Sequence, residues 1–241
     1  MRIAVAGGTG LIGSMVVARA REAGHEAVSL SRRDGVDLRT GDGLDLTGVD
    51  AVVDVLNAPG ISRKVALPFF ERTSGTLLAA GAAAGVRHHV VLSIVGVDRV
   101  PTGYYGSKLR QEEVVAAGDV PWTVLRATQF HEFPGQLLGR AKGRVVPVPQ
   151  MRSATVAADE VAQHLVALAA GPAQGFAAEM SGPDVAEMPD LVRRLLAADG
   201  KRALVVPVRL AKGMADGGLL PEAPGVVGKQ TFAEWLATRS A

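Results

Sequence analysis

The segment Gly7-Gly8-Thr9-Gly10-Leu11-Ile12-Gly13 is the first part of the chain whose residue types and spacing could do chemistry. It reads with glycines at 7, 10 and 13, or at 8, 10 and 13. Glycine permits a tight turn with positive φ, lets the backbone approach a pyrophosphate, and lets a strand and a helix pack closely. A helix opening at Leu11 would turn its free N–H groups and positive dipole toward the phosphates. Gly7, Thr9, Gly10, Leu11, Ile12 and Gly13 are therefore the candidate phosphate cradle. Further on, Ser31-Arg32-Arg33 stands where a dinucleotide fold selective for NAD carries Asp or Glu for the ribose 2′-hydroxyl. A carboxylate would repel a 2′-phosphate, whereas guanidinium groups pair with it bidentately, so NADP(H) is the better fit. Asn57, in Asn57-Ala58-Pro59-Gly60, is either a structural turn or a residue reaching the ribose and nicotinamide.

These residues need a scaffold, and the chain supplies one rhythm repeatedly: a short β-branched run, a turn with glycine or asparagine, then an alanine-rich stretch. That pattern predicts strand, helix, strand with a parallel sheet. Strands are expected at Ile3 to Ala6, Glu26 to Ser31, Ala51 to Leu56, His89 to Ser93 and Trp122 to Arg126, with a weak one at Gly35 to Leu38. Helices are expected at Leu11 to Glu22, Val65 to Ala84, Tyr104 to Ala117 and Ala158 to Ala169. After Arg126 the rhythm breaks. Phe130 to Pro149 reads as an irregular Gly- and Pro-containing stretch, and the last third carries six further prolines from Pro172 to Pro224. Within it Met188 to Ala198 and Thr231 to Thr238 read as helices and Ala203 to Pro207 as a strand. The fold class is α/β, a Rossmann-type doubly wound parallel sheet. The expected division is a dinucleotide-binding domain over 1–126, to which the helix at 158–169 returns, and a small substrate-binding lobe over 127–241.

Composition narrows the function classes. With 241 residues, 48% hydrophobic and 21% charged, the chain can fill a large core and is neither disordered nor fibrous. Its 26 basic and 24 acidic residues are spread along the chain, and aromatics are only 4%, so neither a basic stripe nor a base-stacking platform is available for nucleic acid. Having no cysteine excludes a disulfide framework, a thiol nucleophile and thiolate metal sites, and suits a reducing cytoplasm. The leading MRIAVAGG is too short for the apolar core of a signal peptide, and the longest uncharged run, Val161 to Ala178, is interrupted by Gln163, His164, Gly171-Pro172 and Gln174. A cytoplasmic protein with no membrane partner is expected.

With the cradle and arginine pair in place, the chain resembles the atypical short-chain dehydrogenase/reductase superfamily, in its NmrA-like, NAD(P)H-binding branch. VAGGTGLIG at 5–13, LSRR at 30–33, VLSIVGVD at 91–98, YYGSKLRQEE at 104–113 and WTVLRATQF at 122–130 carry the resemblance. VAADEVA at 156–162, SGPD at 181–184 and TFAEWLA at 231–237 extend it more weakly. The resemblance implies a Tyr-x-x-x-Lys pair, matched by Tyr104 and Lys108, and a serine ending the fifth strand, matched by Ser93. Residues i and i+4 share one helix face, so phenol and ammonium stand side by side. A phenol with a reference pKa of ~10 needs a nearby cation to act near neutrality. Lys108 would supply that field and hold the nicotinamide ribose, Tyr104 would protonate a carbonyl oxygen, and Ser93 would orient it. The chain departs from the pattern in two places: Ile94 follows Ser93 where a second hydroxyl is usual, and Tyr104 comes only eleven positions after Ser93. Tyr105, the neighbouring hydroxyl, has Leu109 at i+4 and is the poorer candidate.

Other residues are read more plainly. The five histidines form no metal site, and His131-Glu132 lacks the second histidine of a zinc-protease motif because position 135 is Gly. Gln129, Phe130 and His131 follow the sixth strand and are candidates for the substrate side. Asp159 reads as a charge at a helix start. Leu77 to Ala84 is small enough for close packing on the sheet or for a helix contact in a homo-oligomer. Three functions are consistent with these residues. The leading one is an NADP(H)-dependent oxidoreductase of a small carbonyl, quinone or conjugated substrate. The rivals are an NADP(H)-binding redox sensor without turnover and a redox-neutral isomerase or dehydratase.

Overall fold

The computed structural model of the chain describes residues 1–141, 143–211 and 213–239. Its elements run β1 (Arg2–Ala6), α1 (Leu11–Glu22), β2 (Glu26–Leu30), β3 (Ala51–Asp54), α2 (Arg63–Ala84), β4 (His88–Ile94), α3 (Gly103–Ala116), β5 (Trp122–Ala127), α4 (Phe133–Arg140), β6 (Val145–Pro149) and β7 (Arg152–Ser153). They continue with α5 (Ala158–Ala170), β8 (Gly175–Phe176), β9 (Met180–Ser181), β10 (Ala186–Glu187), α6 (Met188–Ala198), β11 (Leu204–Val208), β12 (Val226–Val227) and α7 (Phe232–Arg239). The chain divides into two compact units: 1–93, 101–126 and 159–178 form the first; 94–100, 127–158 and 179–241 form the second.

The first unit is a parallel sheet in the order β2-β1-β3-β4-β5, with β8 beside β5. Register is set along β1, where Ile3 faces Ala27 on one side and Ala51 on the other. Ala4 and Ala6 of β1 join Val52, Val91 and Val124 from the neighbouring strands with Leu77 and Leu78 of α2 and Val115 of α3 in one cluster. Ile3 and Val5 point to the opposite face by strand alternation and are equally buried. A strand covered on both faces has no use for polar residues, which is why β1 reads as a continuous apolar run. On α5, Asp159 pairs with Arg19 of α1. In α2, Leu77, Leu78 and Gly81 turn inward, while Ala79 and Ala82 to Ala84 stay on the surface.

The weak strand expected at Gly35 to Leu38 does not form. Arg32–Asp34 makes a turn of 3₁₀ helix, Gly35 takes φ +82°, and among the described residues an isolated bridge joins Asp37 and Asp42. Asp37 spends its carboxylate on its own neighbour Arg39, a local bond that competes with strand pairing.

In the second unit β9 pairs with β12 and meets Ala127 through Met180, β6 and β11 form a parallel pair, and β7 and β10 an antiparallel one. Helix α6 buries Met188, Leu191, Val192, Leu195 and Leu196 on one face. Helix α7 starts one residue later than expected because Thr231 caps it: the Glu234 N–H donates to Thr231 Oγ1, and the Thr231 N–H donates back to Glu234. Helix α4 replaces the irregular stretch expected from Phe130. Pro134 sits in its first turn, where a missing N–H costs nothing, so the proline that suggested a break starts the helix instead. No helix among the described residues is long and apolar enough to cross a membrane.

Candidate functional site

The cradle lies between β1 and α1. Gly7 adopts φ +84°, a conformation that L side chains rarely take. Its carbonyl oxygen accepts from the Gly10 N–H, and the first hydrogen bond inside the helix runs from Ser14 N to Gly10 O. The N–H groups of Leu11, Ile12 and Gly13 therefore face out of the helix end, as a phosphate requires. Close packing is built in. A Cβ at Gly13 would come within 2.0 Å of Gly7 O, and one at Gly8 within 2.4 Å of Ser29 Oγ. Thr9, Gly10 and Leu11 are exposed on this turn.

At the end of β2, Ser31 caps the short turn that carries Arg32 and Arg33. Both arginines are exposed, and neither makes a salt bridge among the described residues. The residue not anticipated from sequence is Asp34. Its carboxylate accepts from the Ser31 hydroxyl at 2.6 Å and the Ser29 hydroxyl at 2.7 Å. Those two donors, and then the Arg33 charge, hold Asp34 below the usual carboxylate range. The carboxylate is thereby tied into the loop beside the two guanidinium groups.

Asn57, Ser93, Tyr104 and Lys108 also belong to the first unit. Tyr104 is in the first turn of α3, and its hydroxyl donates to Asn57 Oδ1 at 2.6 Å. Its ring meets Phe70 edge-on, with centroids 5.7 Å apart. Ser93, near the end of β4, is 2% exposed, and its hydroxyl oxygen has no hydrogen-bond partner among the described residues. A buried hydroxyl without a partner is costly and uncommon, so it marks a place where a bound group can supply the missing bond.

Lys108, one turn after Tyr104, is buried. Its ammonium donates to Leu92 O at 2.6 Å and to Gln111 Oε1, and sits 4.9 Å from the centre of the Phe70 ring. Burial lowers its pKa from 10.5 to about 8, against the nearby charges of Asp54 and then Glu112, which favour the proton. Glu112 is itself held by Arg126 of β5 at 2.8 Å. Lys108 thus sits away from water and holds its proton less tightly than a free lysine does.

Gln129, Phe130 and His131 lie in the second unit. Gln129 Oε1 accepts from Ser153, and its amide nitrogen is buried with no partner among the described residues. Phe130 bridges to Val156 through its backbone. His131 is fully buried, its two ring nitrogens meeting Thr155 Oγ1 and Gln230 O, and its ring lies against Phe232 and Trp235. Of the other histidines, His88 bonds Thr123 at 2.8 Å, and burial pushes the pKa of His89 down.

A glycine cradle at a helix N-terminus, set on the first strand of a parallel sheet, defines a Rossmann-type dinucleotide-binding protein. Residues 44–172 match the NAD(P)H-binding family model, and residues 3–64 match the NAD-dependent epimerase/dehydratase family. The chain belongs to the NAD(P)H-binding family. Among curated proteins it is similar to (4-alkanoyl-5-oxo-2,5-dihydrofuran-3-yl)methyl phosphate reductase of Streptomyces griseus, 33% identical over 145 residues. That match takes in 53% of this chain and 48% of the relative, so the chain spans about half the length of the curated relative it matches. Similar solved structures include an NADPH-dependent quinone oxidoreductase from Escherichia coli complexed with NADPH, with TM-score 0.71, 17% identity, and 98% and 99% of the two chains covered. Another is MoeE5 in complex with UDP-glucose and NAD, with TM-score 0.73, 18% identity, and 100% and 97% covered. At these identities the likeness is one of fold.

Proposed function

We propose that the protein is an NADP(H)-dependent reductase of a small organic carbonyl, quinone or conjugated compound. The observation that carries this reading is Lys108: a buried lysine one helical turn from a phenol, in a unit that also holds the cradle. The bound dinucleotide would supply the hydride. The chain's own residues would do the rest. The N–H groups of Leu11, Ile12 and Gly13 bind the pyrophosphate, and Arg32 and Arg33 select a 2′-phosphate. Lys108 holds the ribose hydroxyls and favours the Tyr104 phenolate, Tyr104 passes its proton to the substrate oxygen, and the unpartnered Ser93 hydroxyl orients that oxygen. Asn57, the acceptor of the Tyr104 hydroxyl, fixes where the phenol points. Of the residues after β5, we assign Gln129 to the substrate side because its buried amide nitrogen has no partner among the described residues. His131, with its ring nitrogens engaged, packs its own unit.

The fit to a dinucleotide rests on the cradle that a Cβ at Gly13 would fill and on the orphaned Ser93 hydroxyl. Two named relatives agree with the reading in kind: the reductase from Streptomyces and the quinone oxidoreductase from Escherichia coli. A cysteine-free chain suits a reducing cytoplasm, where we place the reaction. The test is oxidation of NADPH by the purified protein with a panel of aldehydes, ketones, enones and quinones. No turnover of any of them refutes the reductase reading. The short connection from Ser93 to Tyr104 favours a second reading, a cofactor-sensing regulator. It gains if the protein binds NADPH, turns nothing over, and captures a partner with only one redox form of the cofactor.

A further inference from the structure

Beneath Lys108 lies a buried polar chain that the proposed reaction does not use directly. Asp54 ends β3, a strand otherwise made of alanine and valine, and is 0% exposed. One carboxylate oxygen accepts from the Leu56 N–H at 3.1 Å; the other accepts from the Gln111 amide at 3.0 Å and the Ser74 hydroxyl at 3.3 Å. Gln111 also donates to Ser74 Oγ at 3.1 Å, and its carbonyl oxygen accepts from the Lys108 ammonium. The direction of the Gln111 amide is forced by chemistry. An ammonium only donates and a carboxylate only accepts, so the amide can bridge them in one orientation alone.

We propose that Asp54 is a positioning residue for Lys108: through the Gln111 amide it fixes the ammonium against β4 and sustains its charge. The inference rests on the reading of Lys108 as the residue that serves cofactor and phenol. The groups facing Lys108 are few. From β3 comes Asp54, from α3 Gln111 and Glu112, from α2 the Phe70 ring, and from β4 the Leu92 carbonyl. Glu112 shares its charge with Arg126. His89 of β4 lies 3.9 Å from Asp54, and burial pushes its pKa down, against the pull of the Asp54 charge. Among the described residues, that leaves Asp54 as the carboxylate whose nearby lysine or arginine is Lys108. Because Gln111 lies between them, the carboxylate acts without touching the ammonium, and the amide dipole aligns with the field of both. If Asp54 were neutral, Gln111 could turn its amide over and present N–H groups to the ammonium.

The experiment follows the Lys108 Nζ signal by ¹⁵N NMR across pH in the full-length protein without cofactor, with Lys108→Met identifying the resonance. In Asp54→Asn the Lys108 midpoint falls by about one unit, a tenfold loss of proton affinity. The upper pH limb of NADPH turnover moves down with it. Gln111→Met shifts the midpoint in the same direction while leaving the carboxylate in place, and decides the matter if Asp54→Asn does not fold. An unchanged midpoint in a folded variant overturns the proposal, because a merely structural role would not move it. Should the midpoint shift while the wild-type protein reduces no substrate, the relay stands and the reductase reading fails. Turnover with an unmoved midpoint does the reverse: the reductase reading stands and the relay fails.

Discussion

Gly13→Ala tests how closely α1 must approach the turn that precedes it. The added Cβ would stand 2.0 Å from Gly7 O, whereas real Cβ contacts essentially never fall below 3.0 Å, and the next atoms met, Gly7 C at 2.7 Å and Gly8 Cα at 2.9 Å, are also backbone. No flexible side chain can give way, so helix and turn must separate by about 1 Å. Overpacking of this kind costs about 1–3 kcal/mol. For a chain of this size a loss of about 2 kcal/mol lowers Tm by roughly 4–8 °C. The effect on the cofactor should be larger than on the fold. A retreat of ~1 Å carries an N–H of ideal geometry, at ~2.9 Å from a phosphate oxygen, to ~3.9 Å, beyond hydrogen-bond range. Two such charge-assisted bonds are worth about 3 kcal/mol or more together, which is at least ~100-fold in Kd. Thermal melting without cofactor and calorimetric titration with NADPH read the two quantities separately. Gly75→Ala is the matched control: a Cβ there meets nothing within 4 Å inside α2, so the change should stabilise by about 0.5–1 kcal/mol and leave NADPH affinity alone. If Gly13→Ala melts like the wild type and binds NADPH within twofold, the close-packing argument is wrong.

Tyr104→Phe should cut turnover by about 100-fold or more while NADPH affinity changes little; equal kcat in steady-state assays would remove the phenol from the chemistry. Arg32→Ala combined with Arg33→Ala should weaken NADPH by about 10- to 100-fold and NADH much less, with the difference shrinking as salt rises; parallel losses for the two nucleotides would deny the arginines their phosphate. Lys108 makes stability depend on pH. Its folded pKa is depressed from 10.5 to about 8, so the unfolded chain binds the proton more tightly. The stabilising contribution is fully present above 10.5 and is lost as pH falls through about 8. Urea denaturation should therefore show the wild type gaining on Lys108→Met between pH 8 and 10.5, and parallel curves would count against a buried ammonium. Turnover that needs the charged form should decline as pH rises through about 8.

The glycine turn after β1 was legible because its glycines do local work: a turn, a positive φ and a close approach all depend on residues within a few positions. Helices α1, α5 and α6 were legible for a similar reason, since their apolar spacing matched what they bury. Helix α4 was hidden by Gly135, Gly139 and Pro134, which read as a break until burial against α6 supplied a reason to be helical. The polar chain under Lys108 was hidden differently. Gln111 and Glu112 look like a solvated helix face in the run Arg110 to Glu113, and only the packing of α3 on α2 and the sheet turns two of these four inward. One signal was available. Asp54 interrupts the apolar run Ala51 to Leu56, and a carboxylate in a doubly covered strand needs partners from elsewhere in the chain.

The first unit is assembled from three separate stretches, and the last of them, 159–178, contributes α5 and the strand beside β5. On a ribosome the nucleotide-binding sheet is therefore still missing pieces when its five main strands have emerged. It must wait for all the chain from Ala127 to Ala158 to be made and set aside as part of the other unit. Closing so long an excursion slows folding more than it weakens the product, because the entropy of closure grows only slowly with length. A fragment ending at Arg126 would carry every proposed cofactor residue yet leave Arg19 without Asp159 and the edge of β5 unpaired. Such a nascent intermediate, its sheet edge open, is the species most exposed to mispairing with another chain.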